Sequence, residues 1–445
     1  MCANCFQFLR YLEKMRQTGK QLIDQLSTRG LIAQTSSGGL LEIHLDDCVV
    51  AYCGFDPTAE SLHIGHLVPL LVLKRFQMAG HKPIALIGGA TGMIGDPSFK
   101  ASERRLLSEN KIGEWSEKIK SQISRFVELD GIQNKAIVLN NLEWVKPLSV
   151  LNFLRDVGKH FSINNMISKE SVKQRIDREG SGISFTEFSY SLLQAYDFSE
   201  LFCRHGCTVQ IGGSDQWGNI VSGIDLCRRH HQADCYGLTV PLITKSDGKK
   251  FGKTESGTVW LDAKKTSPYA FYQFWLNVAD DDVYRFLRIF TFMPLDEIDA
   301  IEDRDSKSSG RPEGQRLLAR EVTSLVHGQE GLAAAQQITE LLFTDQISVL
   351  SEDDFIQLLR DGMPSSSLKN SEKPLTQSLV DCGLAGSGRE VKDALNRGAI
   401  SINGETKNSD DNLLASSIFT PEKAFFEKYF LVRLGKKRYH LLYLD

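Results

Sequence analysis

The sequence predicts an α/β protein: a parallel-sheet domain first, then a run of helices, then a small mixed α+β segment. Three observations carry this. Two short apolar runs flank a helical pattern between residues 49 and 87, which is the signature of a βαβ unit and hence of a parallel sheet. From Ser267-Pro268 onward the texture turns helical. The last seventy residues combine one helical stretch with an Asn-Gly turn and a terminal hairpin pattern.

The elements follow in order. Val49-Val50-Ala51-Tyr52-Cys53-Gly54-Phe55 fits a buried strand. Asp56-Pro57-Thr58 breaks it, and His66 to Phe76 reads as a helix closed by Gly80. Pro69 is expected in that helix's first turn, where the missing amide has no partner to lose. Pro83-Ile84-Ala85-Leu86-Ile87 is a second buried strand, and alternation continues to about residue 245. Ser267 is a suitable N-cap and Pro268 a suitable first helical residue. Helical patterns cover 269–278, 281–292, 294–303, 312–327 and 330–343, with Pro312 opening and Gly328 closing one of them. Residues 361–373, with three consecutive serines, read as a polar linker. A helix over 389–397, a strand at 399–405 turning at Asn403-Gly404, and a hairpin of 430–434 and 438–443 complete the chain. No internal repeat of fixed period is visible.

At 445 residues the chain is too long for one compact domain; two to four are expected. Its hydrophobic fraction of 41% and charged fraction of 24% exclude a mainly disordered chain. The net charge of −4 argues against coating nucleic acid by charge alone, while leaving room for a local basic face. No apolar run approaches the length of a membrane span. Nine scattered cysteines read as reduced thiols of a cytoplasmic protein. Residues 1–20 lack a long apolar core and are expected to be a simple extension, with a weak organelle-targeting helix as the alternative.

Two elements carry charge chemistry. His63-Ile64-Gly65-His66 stands where the first strand hands over to a helix, and helix-start amides favour anions. Gly65 allows close approach, and two imidazoles there can bond phosphate oxygens, although both could instead cap the helix. Lys250-Phe251-Gly252-Lys253-Thr254 lies in a polar, Gly-punctuated loop whose lysines can neutralise charge developing on a phosphate. Neither a dinucleotide fingerprint nor a Walker A loop is present.

Five tracts in order resemble the bacterial-type tyrosyl-tRNA synthetase family of class I. They are Tyr52 to His66, which looks like the HIGH region; Gly88-Gly89-Ala90-Thr91-Gly92-Met93-Ile94-Gly95-Asp96-Pro97; Tyr190 to Asp197; Gln210 to Asn219; and Lys250 to Thr254, the KMSKS loop in a KFGKT form. The resemblance covers about residues 21–445 and implies a Rossmann-like catalytic domain. It implies that His63, His66 and Thr58 line the phosphates of ATP and that Lys250, Lys253 and Thr254 close over pyrophosphate. Lys100 and Arg104 would form a second loop on the same phosphates, with a solvated helix start as their alternative. Cys53, Gly54, Asp56, Gly65, Asp215 and Lys253 would hold the nucleotide. Tyr52 and Asp197 would meet the substrate hydroxyl; Tyr190, Gln194, Gln210 and Asp96 its ammonium; and Gln216 its carboxylate. Tyr190, Gln194 and Asp197 share one helical face by spacing. The implied substrates are L-tyrosine, ATP with Mg²⁺ and tRNA(Tyr), with no tightly bound cofactor, and the implied assembly is a homodimer.

The resemblance also implies boundaries: an extension at 1–20, a catalytic domain at 21–245, the KFGKT connection at 246–262, a helical anticodon-binding module at 263–345, a linker at 346–373 and an S4-like RNA-binding domain at 374–445. In the last, Arg389, Lys392 and Arg397 would face phosphates; residues 422–445 carry six Lys or Arg against three acids. Cys2-x-x-Cys5 has zinc-like or redox-like spacing but no second pair nearby, and the cysteines and histidines of 203–235 do not match a zinc ribbon or finger, so no metal is expected. The rivals are a tryptophanyl-tRNA synthetase, an RNA-binding protein on a retired synthetase scaffold, and a small nucleotidyltransferase.

Overall fold

A computed structural model of the chain describes residues 17–98, 107–130, 134–169, 172–173, 176–177, 182–248, 251–254, 257–308, 310, 312–368, 372–436 and 438–444, with backbone alone at 253, 254 and 411. The chain forms two units. One comprises Met1–Leu261 with Ala279–Gly314, the other Asp262–Val278 with Gln315–Asp445. The polypeptide therefore passes from one unit to the other three times, and the helices after Ser267 are shared between them.

The first unit is built on a six-stranded sheet of β1 (Gln34–Thr35), β2 (Val50–Phe55), β3 (Lys82–Ile87), β4 (Ile137–Asn140), β5 (Cys207–Gly213) and β6 (Tyr236–Val240), in the order β1-β6-β5-β2-β3-β4. All neighbours are parallel except β1, which pairs antiparallel with β6. From β2 the chain moves to β3 and β4 on one side, and β5 and β6 lie on the other. The β2/β5 boundary is thus a topological switch point, where open α/β sheets leave a crevice at their carboxyl ends. Helices α1 (Gly19–Thr28), α2 (Ile64–Met78), α3 (Glu109–Ile123), α4 (Phe185–His205) and α5 (Trp217–His231) accompany it.

The strands at 49–55 and 83–87 and the helix between them form as the apolar runs predict. Helix α2, however, begins two residues earlier than expected, at Ile64. Pro69 is therefore its sixth residue, beyond the first turn, and the carbonyl of Gly65 lacks the helical amide it would otherwise receive. Gly80, at φ 99°, follows the last turn.

The segment Ala279–Gly314 contributes the helices Asp280–Phe290 and Leu295–Lys307 to this first unit. Two buried arginines hold the backbone where the first of these ends. Arg29 donates to the carbonyls of Arg288 (3.1 Å), Thr291 (3.4 Å) and Met293 (2.6 Å), and Arg75 to that of Thr291 (2.5 Å). Desolvation lowers both guanidinium pKa values, that of Arg75 to about 9. A cation suits the negative end of a helix, and here carbonyl oxygens take the place of a counter-ion. Arg29→Ala should lower unfolding free energy by about 3 kcal/mol, because it leaves buried carbonyls unpaired and a void. Urea unfolding checks this, and a loss below about 1 kcal/mol would show that water replaces the guanidinium.

The second unit contains the helix Pro268–Leu276 and the helical run Gly314–Phe343, which breaks at Gly328 (φ 73°) as the sequence pattern predicts. That run starts at Gly314, two residues after Pro312. A five-stranded sheet follows, counted after the short pair β7 (Lys253–Thr254) and β8 (Gly257–Thr258) of the first unit. It comprises β9 (Ser365–Leu368), β10 (Ile400–Ile402), β11 (Glu405–Lys407), β12 (Tyr429–Leu434) and β13 (Arg438–Leu444), in the order β11-β10-β12-β13-β9. The serine-rich segment that reads as a linker supplies β9, which pairs in parallel with β13. Serine is a poor strand former by composition; an open sheet edge recruits it. Successive residues of β12 point to opposite sides. Phe430, Val432 and Leu434 enter a core with Leu379, Val391 and Leu395, while Tyr429 and Leu431 enter another with Phe355, Leu358 and Ile338.

Candidate functional site

The carboxyl ends of β2 and β5 open onto a cavity of about 580 Å³ in the first unit. Tyr52 to Phe55 line it from β2 with Asp56 just beyond, Gln210 to Gly213 from β5, and Tyr190, Gln194 and Asp197 from one face of α4. Thr58, His63, Gly65, His66, Asp96, Asp215 and Gln216 complete the wall. Every described side chain expected at the site thus reaches one cavity, apart from the three cations of the C-terminal segment. Lys100, Arg104 and Lys250 lie outside the described residues. Lys253 and Thr254 are described by their backbone, the strand β7.

His63 and His66 do cap helix α2. His63 Nδ1 accepts from the Gly65 amide (3.0 Å), and His66 Nδ1 accepts from the His63 amide (3.2 Å). Their rings lie 3.9 Å apart. Capping and ligand binding are not exclusive, since each cap uses Nδ1 and fixes where the rest of its ring stands. At Gly65 a Cβ would come within 2.8 Å of the His63 ring.

Three carboxylates organise the remaining polar groups. Asp56 accepts from the Tyr190 hydroxyl and from Thr91 Oγ1, each at 2.7 Å. A Cβ at Gly88 would stand 1.9 Å from that carboxylate, so only glycine fits there. Asp96 accepts from Ser98 Oγ (2.7 Å) and from Gln216 Nε2 (2.8 Å). Asp197, 2% exposed, accepts from Asn141 Nδ2 (2.9 Å) and Trp144 Nε1 (2.7 Å). Sequence reasoning missed Thr91, Asn141 and Trp144. The Asn140-Asn141 pair directly after the apolar tract of β4 was the available signal, because polar residues at strand carboxyl ends face the crevice.

Burial pushes the Asp197 carboxyl up to about 7, against the two hydrogen bonds that favour its ionised form. An aspartate in the unfolded chain ionises near ~3.9. Between those values the folded chain keeps a proton that the unfolded chain has lost. Stability should therefore fall as pH rises through this window and level off above about 7. Relative to Asp197→Asn, the parent should lose up to about 4 kcal/mol from pH 4 to 8. Parallel unfolding curves across that range check it; a constant difference would mean that Asp197 ionises as it does in water.

Burial also raises the Tyr52 and Tyr190 phenols well above their ordinary range, so both are hydrogen-bond donors. The Cys53 thiol is pushed up to about 12 by burial and stays protonated. Three buried atoms on this wall have no hydrogen-bond partner among the described residues: Tyr52 Oη, Gln194 Oε1 and Gln210 Oε1. Such groups are costly unless a polar ligand meets them. Among the described residues lining the cavity are four aspartates and no lysine or arginine.

Next to the cavity, Phe251 of the KFGKT segment packs on Phe286 (4.3 Å between ring centroids) and Phe290 (5.7 Å). Ser246, just before it, donates through its amide to Asp282 (2.9 Å). The helix Asp280–Phe290 is therefore the seat of that segment. Elsewhere, helix Gly388–Asn396 buries Val391, Ala394 and Leu395 and exposes Arg389 and Lys392; Arg397, just beyond its end, is exposed too. Glu390 pairs with Arg438 (2.7 Å). Cys203 lies 3.7 Å from the His231 ring, and no group of three or more ligand-type side chains gathers among the described residues.

Comparison with known proteins agrees with this architecture. Residues 46–344 match the family described as tRNA synthetases class I (W and Y), and residues 354–442 the tyrosine–tRNA ligase SYY-like C-terminal domain. A tyrosine–tRNA ligase of Aliivibrio fischeri is 58% identical over 422 residues, 95% of this chain and 98% of that protein. One from Yersinia pseudotuberculosis is 58% identical over 426 residues, 96% and 99% of the two chains. A C-terminally truncated mitochondrial tyrosyl-tRNA synthetase of Aspergillus nidulans superposes with a TM-score of 0.66 at 31% identity, covering 76% of this chain and 98% of that one. With matches of this extent across both units, the chain belongs to the class I tRNA synthetases, in the tyrosine–tRNA ligase family.

Proposed function

We propose that this chain activates L-tyrosine with ATP, giving tyrosyl-adenylate and pyrophosphate, and then transfers the tyrosine to the 3′ end of tRNA(Tyr). The observation that carries the reading is the trio of buried, unpartnered atoms at Tyr52, Gln194 and Gln210 beside the buried Asp197. Tyr52 and Asp197 suit a phenolic hydroxyl, which can accept from one and donate to the other. Gln194 and Gln210, with Tyr190 and Asp96 nearby, suit an α-ammonium group. A phenylalanine in the same place would leave Tyr52 and Asp197 unmet.

The chemistry asks little of proton transfer. An α-carboxylate is ionised at neutral pH, with a pKa near ~3.5. It attacks the α-phosphorus of ATP, the bond to the bridging oxygen breaks, and pyrophosphate leaves as a stable anion. The chain must align the two reactants and offset negative charge. In this reading Gln216 and Asp215 would stand beside the reacting groups, and the His63–His66 pair would meet the phosphates at the start of α2; all four line the cavity. Lysines of the KFGKT segment, with Lys100 and Arg104, supply the remaining positive charge in this reading. The donors present fit a Mg²⁺ ion that arrives on the nucleotide, since Mg²⁺ binds phosphates with one or two carboxylates and keeps several waters. When bound it would offset phosphate charge; of the four aspartates that line the cavity, Asp56, Asp96 and Asp215 are the candidates to meet it.

The helices of 263–345 and the segment 374–445 would face RNA, with Arg389, Lys392 and Arg397 exposed for phosphates. A homodimer is supported by the apolar side chains that the stretch 150–163 leaves exposed: Val150, Leu151, Leu154 and Ile163. No described helix is long and apolar enough to cross a membrane; the free cysteines suit a cytoplasmic location. Tyrosine-dependent ATP–pyrophosphate exchange without tRNA tests the first step, and charging of a tRNA(Tyr) transcript tests the second. Folded protein inactive in both assays would refute the reading, and exchange that prefers tryptophan would replace it with the sister specificity.

A further inference from the structure

The second unit contains two tight turns in which both central residues adopt positive φ. Between β10 and β11 these are Asn403 (51°) and Gly404 (85°), the residue types that tolerate the conformation. Ahead of β12 they are Phe426 (52°) and Glu427 (56°), which do not. The second turn is nonetheless firmly closed. The Lys428 amide donates to the Phe425 carbonyl (3.0 Å), and Phe425 and Tyr429 exchange a bonded pair at 2.9 Å. A phenylalanine and a glutamate are thus held in backbone conformations that L side chains resist, where Asn-Gly would carry no such strain.

What the turn achieves is the presentation of an aromatic ring. Phe426 is 47% exposed at the tip. Its ring lies 5.9 Å from Phe355, which stacks on Tyr429 (5.2 Å, 7° between planes) and contacts Phe425 at 5.3 Å. This aromatic base limits the freedom of the ring, so little rotamer entropy is left to lose on binding. Exposed lysines stand on either side in sequence, Lys423 and Lys428, within the tail that carries six Lys or Arg against three acids. A rigid, exposed aromatic ring flanked by cations is the chemistry that holds an unpaired nucleobase and its phosphates.

We propose that Phe426 is a stacking platform for an unpaired base of the bound RNA, with Lys423 and Lys428 on the adjoining phosphates. This rests on the RNA-binding reading given above and adds a site to it. The strained turn fixes where the ring stands. Glu427 contributes strain and its side chain is exposed, so Glu427→Gly separates stability from binding.

The test uses the full chain and a tRNA(Tyr) transcript titrated by fluorescence anisotropy, with pyrophosphate exchange measured in parallel. Phe426→Leu should weaken tRNA binding about tenfold, within the range for loss of one stacked base, and leave exchange at the parent rate. Phe426→Trp should bind as the parent does. Glu427→Gly should keep full affinity and raise the melting temperature of this unit by about 2 °C. Binding by Phe426→Leu within twofold of the parent overturns the proposal, as does Phe426→Trp losing as much as Phe426→Leu. If Phe426→Leu also loses exchange, Phe426→Trp and Phe426→Tyr decide: affinity kept in both supports stacking, and affinity lost in both refutes it. A parent chain that neither binds tRNA nor catalyses exchange would instead sink the underlying functional reading.

Discussion

Asp197→Ala should largely erase the preference for tyrosine over phenylalanine in pyrophosphate exchange. The carboxylate sits at 2% exposure, fixed by Asn141 and Trp144, and the Tyr52 hydroxyl beside it has no partner among the described residues. A substrate hydroxyl is desolvated on entering, and without Asp197 its proton has no acceptor. Above about pH 7, where Asp197 is ionised, a hydrogen bond to this buried charged group contributes about 1.5–3 kcal/mol, so kcat/KM for tyrosine measured there should fall roughly 10- to 150-fold. The value for phenylalanine should change little or rise. Asp197→Asn should fail similarly, because its amide group would place a donor against Asn141 or Trp144. Steady-state exchange with both amino acids checks this. A variant that still discriminates as the parent does would move specificity to Tyr52 alone.

The second large effect is expected at His63. Removal of a donor aimed at developing charge in a water-poor site costs about 2.7–4 kcal/mol, or roughly 10²–10³ in rate. His63→Ala should therefore lower kcat for exchange by that order and leave KM for tyrosine within about twofold. The same substitution removes the cap on the Gly65 amide, which costs about 1 kcal/mol of stability. His63→Asn separates the roles: asparagine restores an N-cap oxygen and offers an amide donor of shorter reach. Stability should recover fully and rate in part. Full recovery of rate with asparagine would mean that His63 acts through the helix start alone.

The parts legible in the sequence are those set by local pattern. Apolar runs at 49–55 and 83–87 became β2 and β3, and Asn403-Gly404 became a turn because those residues accept positive φ. Tyr190 and Asp197 came out on one face of α4 because helical spacing requires it. What escaped depends on distant partners. Asn141 and Trp144 reach Asp197 across more than fifty residues, and only the folded sheet brings them together. The strand at Ser365–Leu368 exists because β13 offers an edge, against the preference of its own serines. The Phe426–Glu427 turn contradicts its local sequence altogether, which is where a function is expected to override propensity.

The triple passage of the chain between its two units has a consequence for biosynthesis. A nascent polypeptide that has emerged only as far as Leu261 still lacks the helices Asp280–Phe290 and Leu295–Lys307, so Phe251 has neither Phe286 nor Phe290 to rest on. The helix Pro268–Leu276, with Phe271 and Trp275 fully buried in the finished molecule, emerges before most of its own unit has been translated. The first unit is complete once Gly314 has emerged, but Asp262–Val278 belongs to the second and cannot pack within its own unit until Gln315–Asp445 follows, so folding does not run strictly in sequence order. The apolar helix Pro268–Leu276 must wait on the ribosome, and that interval is when a holdase would find it.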